Sequence, residues 1–176
     1  YVLAEEHGHD KIFAVPSSGG EATPVLDVTI GGYSGLFVPE KAEKTMLFAA
    51  FQSAVNPQEI VRIDPGAPRH TLLSEFAVEA AAAIDWQPVR HFWFTSKRGK
   101  KIHNLLVLPP AFDESKKYPL IVFMHGGPHN MSKDQFHLRW NYHLLAQPGY
   151  VILTTNYTGS TGFGEEFAQE IQGDPL

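Results

Sequence analysis

The stretch Tyr118-Pro119-Leu120-Ile121-Val122-Phe123-Met124 constrains the fold most, because it is a continuous apolar run that ends at once in His125-Gly126-Gly127-Pro128. A run of this kind fits a strand buried on both faces of a parallel sheet. Glycines directly after it let backbone N–H groups approach a ligand with no Cβ in the way. A second such strand, residues 150–155, follows a segment with helical spacing around Trp140, Tyr142, His143, Leu144 and Leu145 that closes at Pro148-Gly149. Strand, helix, strand implies a right-handed crossover and an α/β sheet. Residues 89–95 and 101–108 flank the polar turn Ser96-Lys97-Arg98-Gly99-Lys100 and read as a hairpin, so residues 118–124 form the third strand of this half.

The first half repeats itself. Val2-Leu3-Ala4 recurs as Leu47-Phe48-Ala49, and Ile12-Phe13-Ala14-Val15 recurs as Ile60-Val61-Arg62-Ile63. The spacing between copies drifts between the two matches. A longer second connection, Ala54-Val55-Asn56-Pro57-Gln58 against His7-Gly8-His9-Asp10, accounts for the drift, since insertions are tolerated at hairpin tips. Each copy reads as short strands bounded by turn residues such as Ser17-Ser18-Gly19-Gly20 and Asp64-Pro65-Gly66. A period of roughly 40–50 residues built from such strands is the signature of a β-propeller blade, with an antiparallel sandwich as the alternative. The first 84 residues hold fewer than two blades, and blades bury their faces against neighbours. Glu79-Ala80-Ala81-Ala82-Ala83-Ile84 has helix propensity and reads as the crossing between two domains. The fold class expected is therefore mixed: the C-terminal blades of a β-propeller over residues 1–84, then the N-terminal half of an α/β-hydrolase domain over residues 85–176.

Charge follows the same division. Up to Ile84 there are five basic and eleven acidic residues, and from Asp85 on there are nine and eight. A formal net charge of −5 gives nucleic acid no electrostatic footprint. No apolar run approaches the ~20 residues that span a bilayer, so no membrane partner is expected. With no cysteine, disulfides, thiolate nucleophiles and cysteine zinc sites are excluded, and the compartment stays open.

Ligands of α/β sheets bind at the carboxyl ends of the strands. His125, Gly126 and Gly127 stand at such an end, where an α/β-hydrolase places one donor of its oxyanion hole. The Gly-rich loop after residues 150–155, Asn156-Tyr157-Thr158-Gly159-Ser160-Thr161-Gly162-Phe163-Gly164, lacks both the Gly-Lys-Ser/Thr of a P-loop and the spacing of a dinucleotide fingerprint. It is expected to set Tyr157 and Phe163 beside a substrate pocket, with Glu165 and Glu166 on the positive first turn of the next helix.

These three motifs, the apolar strand with His-Gly-Gly-Pro-His, Gly149-Tyr150-Val151, and the Asn156 to Phe167 string, together resemble the prolyl oligopeptidase family of serine peptidases, in particular its acylaminoacyl-peptidase and dipeptidyl-peptidase branches. The resemblance is specific over residues 86–176 and architectural over the first half. It implies a propeller joined to an α/β-hydrolase domain. It also implies a peptide substrate cleaved through a serine acyl-enzyme at or near the N-terminus, no cofactor, and a full-length protein free to form a homo-oligomer. Gly127, with Gly126 beside it, matches the glycine whose N–H helps form the oxyanion hole. His125 stands where some relatives have a tyrosine, and Thr158 where the family commonly has arginine.

No Gly-x-Ser-x-Gly elbow occurs in the 176 residues. Ser34 and Ser160 each lack one flanking glycine, and no histidine follows the position where the nucleophile belongs. The expectation is a piece of a longer peptidase that supplies the oxyanion turn and a pocket wall, is inactive alone, and has its elbow beyond Leu176. Three alternatives stand beside it: a non-catalytic interaction module, an esterase of the same fold, and a metal hydrolase. For the last, His7, His9 and Asp10 or His125 and His129 would be the ligands. The first set is expected in an exposed hairpin tip and His125 in the oxyanion turn, so no metal is expected.

Overall fold

A computed structural model describes residues 1–173; the last three residues of the expected second domain lie outside the described residues. Among the described residues, eleven strands in three sheets and three five-residue helices make up the fold. The first sheet comprises β1 (Val2–Glu6), β2 (His9–Ala14) and β3 (Thr23–Pro24), all antiparallel. The second is an antiparallel meander of β4 (Gly32–Phe37), β5 (Leu47–Ser53), β6 (Asn56–Ile63) and β7 (Thr71–Leu72). A four-stranded meander is one propeller blade in outline. No closed propeller exists among the described residues.

The repeat survives, with its register corrected. Both hairpins turn on two residues: His7 and Gly8 join Glu6 to His9, and Ala54 and Val55 join Ser53 to Asn56. The expected longer second connection is absent, because Asn56-Pro57-Gln58 belongs to β6. Leu47 pairs with Ile63, two residues beyond the Val61 that the repeat alignment gives, and a register shift between Phe51 and Ser53 accompanies this. A two-residue slip keeps every side chain on its face. Val61 and Ile63 are both fully buried for that reason, in one core with Ile12, Leu26, Val28, Tyr33, Leu47 and Ala49.

The alanine segment forms α1 (Val78–Ala82), which buries Ala81 and whose Ala81 carbonyl accepts from the Trp86 indole at 3.1 Å. Beyond it the third sheet has the order β10-β11-β9-β8. β8 (Arg90–Thr95) and β9 (Lys101–Val107) are the expected hairpin. β10 (Leu120–Met124) lies parallel to β11 (Val151–Asn156), as the strand–helix–strand pattern requires, and β11 lies antiparallel to β9. Between them α2 (Tyr142–Ala146) starts where the Asn141 side chain accepts from the N–H groups of His143 and Leu144, each at 3.0 Å. That cap satisfies two of the orphan donors of a helix N-terminus. α3 (Glu165–Gln169) follows the Gly-rich loop with Glu165 and Glu166 in its first turn, as expected.

One expectation for β10 does not hold. Ile121 packs against the core of this half, but Leu120, Val122 and Met124 are 54%, 50% and 69% exposed, so the strand is buried on one face only. β10 is the edge strand of its sheet, and no described element covers its other face.

The two halves are tied together by the tips of the first-half hairpins. Ala54, at the β5–β6 tip, packs in the same core as Val89, Leu105, Val107, Tyr142, Ala146 and Ile152. At the β1–β2 tip the His7 N–H donates to the Gly162 carbonyl at 3.0 Å, and the Asp134 N–H donates to the Gly8 carbonyl at 2.9 Å. His7 (φ 50°) and Gly8 (φ 88°) both adopt the left-handed conformation that a two-residue hairpin turn demands. The expectation of an exposed tip at His7-Gly8-His9-Asp10 is thereby corrected. His9 and Asp10 belong to β2, and His9 is only 6% exposed, because the tip is inserted against the segment that follows the His125-Gly126-Gly127 turn.

Candidate active site

The turn begins where β10 ends. Gly127 has φ +70°, a left-handed backbone that strains any residue with a Cβ, and an added Cβ at Gly126 or Gly127 would meet open space. His125 and Gly126 of the turn line a cavity of about 530 Å³, whose wall also includes Ser132, Lys133, His137 and Trp140.

Contacts from the Gly-rich loop hold the turn from beneath. The Tyr157 hydroxyl donates to the His125 carbonyl at 2.7 Å, and the two rings stack with centroids 4.7 Å apart and planes 18° off parallel. Ser160, fully buried, donates its hydroxyl to the Tyr157 carbonyl at 2.6 Å. With its proton used there, Ser160 Oγ accepts from His125 Nε2 at 2.9 Å. Burial lowers the His125 pKa, so at neutral pH the imidazole is uncharged with its single N–H on Ser160. His125 therefore braces the turn, and its donor is not directed to a ligand.

The structure separates the two aromatic residues expected beside a substrate. Tyr157 lies under His125 and is absent from the wall of the cavity. Phe163 packs among His7, Trp93, His103 and Phe167, with ring centroids 5.4–5.6 Å away, and lines a different cleft together with Glu5, Glu6 and Glu165. Ser34 lies in β4 and Ser160 is enclosed, so neither offers a free nucleophilic hydroxyl beside the turn.

Motif reading missed the polar groups between the halves. Lys133 bridges Glu5 at 2.7 Å and Asp10 at 2.9 Å, and Thr161 also bonds Glu5. Asp134, 3% exposed, accepts from the N–H groups of Gly31 at 2.6 Å and Ala54 at 2.7 Å. Behind these lies a chain of side chains whose tautomers are fixed by backbone. Asn156 accepts from the Ser132 N–H at 2.7 Å and donates to the Ser132 carbonyl at 3.1 Å, which sets its amide so that its nitrogen also donates to His103 Nδ1 at 2.9 Å. His103 then carries its proton on Nε2 and donates to His91 Nδ1 at 3.1 Å.

His9, His91 and Asp134 each offer a ligand atom within 4.8 Å of the other two. His91 and Asp134, rather than His7 and Asp10, are thus the neighbours of His9. Its ring is stacked on His91 at 4.7 Å and 15°, and its Nδ1 donates to the Gly31 carbonyl at 2.7 Å. A cation lying in the plane of one such ring lies out of the plane of the other, whereas imidazole ligates through an in-plane lone pair. The other metal pair considered is also engaged elsewhere: His125 bonds Ser160, and His129 bonds the Ala168 carbonyl at 2.9 Å.

Burial, reinforced by the neighbouring histidines, pushes His91 down to about 4 and His103 down to about 3. Burial also lowers His9, His70, His125, His137 and His143. Each folded value lies below the unfolded one, so the unfolded chain binds more protons as pH drops through about 6.5. Stability is expected to be full above that value and to decline from pH 6.5 towards 4, before most carboxylates titrate. Urea midpoints at pH 7, 6 and 5 check this, and His91→Phe is expected to flatten the slope. A midpoint constant over that range would contradict buried neutral imidazoles.

The sequence profile of the Prolyl oligopeptidase family matches residues 136–175. Dipeptidyl-peptidase 5 of Schizosaccharomyces pombe is 29% identical over 174 residues, which is 99% of this chain and 24% of that protein. Dipeptidyl-peptidase 5 of Arthroderma otae is 32% identical over 178 residues, with the same shares. The solved acylaminoacyl peptidase of Pyrococcus horikoshii superposes with a TM-score of 0.78 at 25% identity, over 96% of this chain and 25% of that one. The chain thus spans about a quarter of the length of the relatives it matches. Taken with a glycine turn braced at the end of a parallel strand, these matches make the chain similar over both halves to peptidases of the prolyl oligopeptidase family, whose profile matches its residues 136–175.

Proposed function

We propose that this chain is part of a serine peptidase that removes aminoacyl or dipeptidyl units from short peptides by acyl transfer through a serine acyl-enzyme. Residues 1–84 then belong to a propeller that restricts access by size, and residues 85–176 to an α/β-hydrolase domain. Within it the His125-Gly126-Gly127 turn supplies part of the oxyanion hole and the cavity beside it part of the pocket wall. The observation that carries this reading is the turn itself: left-handed at Gly127, open around both glycines, at the carboxyl end of a parallel strand and with His125 and Gly126 in the wall of a cavity. Backbone donors preorganised at such a place stabilise the negative oxygen of a tetrahedral intermediate. The relatives named as dipeptidyl and acylaminoacyl peptidases support the substrate class. Serine, acid and base come from outside these residues, since the chain holds no Gly-x-Ser-x-Gly.

Two assays test the proposal together. The full-length protein is expected to release chromophore from aminoacyl- or dipeptidyl-linked substrates and to be inactivated by a serine-directed phosphonate. The 176-residue chain alone is expected to release none. Phosphonate-sensitive turnover by the short chain, or phosphonate-resistant turnover by the long one, would refute it.

A further inference from the structure

We infer that Tyr157 and Ser160 are positioning residues for the oxyanion turn, acting on it through His125; the inference rests on the peptidase reading above. A peptide unit is planar, with its carbonyl and N–H pointing in opposite directions. The Tyr157 hydroxyl, 2.7 Å from the His125 carbonyl, therefore fixes the whole plane that joins His125 to Gly126. The N–H of Gly126 points away from Tyr157, and the next peptide, which carries the Gly127 N–H, is set out from that fixed plane. Stacking of the Tyr157 ring on the His125 ring holds the same residue by its side chain.

Ser160 completes the brace. Its one hydroxyl bonds the Tyr157 carbonyl and His125 Nε2 at once, which joins the loop after β11 to the turn after β10. These are the two loops at the carboxyl ends of a parallel strand pair. Two glycines in sequence have little intrinsic preference for one conformation, and no atom lies within 4 Å of a Cβ placed on either to hold it. Orientation of the donors has to come from neighbours, and among the described residues His125 is where such neighbours bond. A donor preorganised in this way acts on the transition state more than on substrate binding.

The test is made in the full-length enzyme. Tyr157→Phe keeps the stacked ring and removes only the hydroxyl, and Ser160→Ala removes only the hydroxyl that bridges. Each is expected to lower kcat about tenfold or more, with KM within about twofold. A loss confined to KM, or an unchanged kcat in both variants, overturns the inference. A second readout needs no turnover: in the same protein labelled with 15N-glycine, the amide order parameters of Gly126 and Gly127 are expected to fall in Tyr157→Phe. If the wild-type protein cleaves no peptide and these amides still loosen, the peptidase reading fails and the brace stands. If they do not loosen, the brace is overturned whatever the activity.

Discussion

Replacing Asp134 by alanine is expected to cost about 3–5 kcal/mol of folding stability, read as a lower urea midpoint at unchanged m-value. The carboxylate is 3% exposed and accepts from two backbone N–H groups in different parts of the first half, Gly31 at 2.6 Å and Ala54 at 2.7 Å. Both donors are buried, so truncation leaves two unsatisfied N–H groups at about 1–3 kcal/mol each, and more when the lost partner is ionised. Neither donor has an easy way to turn outward. Gly31 has φ +71°, and the place of its absent Cβ lies 2.2 Å from the Gln52 carbonyl, so its backbone is clamped against β5. Ala54 is locked in the core of the second half. Asp134→Asn retains one acceptor oxygen and puts an N–H where the other was, so it is expected to lose less, about 1–3 kcal/mol. A loss under 1 kcal/mol in the alanine variant would mean that water replaces the carboxylate, and that Asp134 does not join the halves.

What the sequence made legible was local. Alternating and apolar runs located β8, β9, β10 and β11, because a strand's exposure pattern is carried by its own residues. The glycine turn after β10 was legible for the same reason: two adjacent glycines after a strand state a backbone requirement directly. Pro57 misled by the same local logic. It reads as a turn residue, yet it stands near the start of β6, where a missing N–H is tolerated. What stayed illegible was set by partners distant along the chain. The tip at Gly8 reads as an exposed turn, and nothing nearby reveals that its N–H meets the Met131 sulfur, 123 residues away. Tyr157 in a Gly-rich loop reads as a pocket aromatic until the His125 carbonyl, 32 residues back, is found within reach of its hydroxyl. Asp134 belongs to no motif, Asn156 only opens the Gly-rich string, and the roles of both rest on which groups the fold delivers to them.

Gly127→Val in the full-length enzyme is expected to lower kcat by about 10²-fold or more, equivalent to about 2.7 kcal/mol of transition-state stabilisation. A β-branched residue resists φ +70°, so relief comes by rotation of the peptide planes on either side. That rotation turns the Gly127 N–H off the direction it now has, while the His125 end stays pinned by Tyr157. Packing is a small factor, because no atom lies within 4 Å of an added Cβ at this position. Backbone strain is therefore the confounding effect, and Gly99→Val isolates it. Gly99 lies in the β8–β9 turn with φ +77° and equally open surroundings, so its substitution imposes similar strain far along the chain from the His125-Gly126-Gly127 turn. Both variants are expected to lose about 1–2 kcal/mol of stability, and only the Gly127 variant to lose turnover. KM for a short peptide should change little, since the donor acts on a charge that exists only after attack on the carbonyl. Equal turnover in the two variants would remove the turn from the oxyanion hole and with it the principal support for the proposed chemistry.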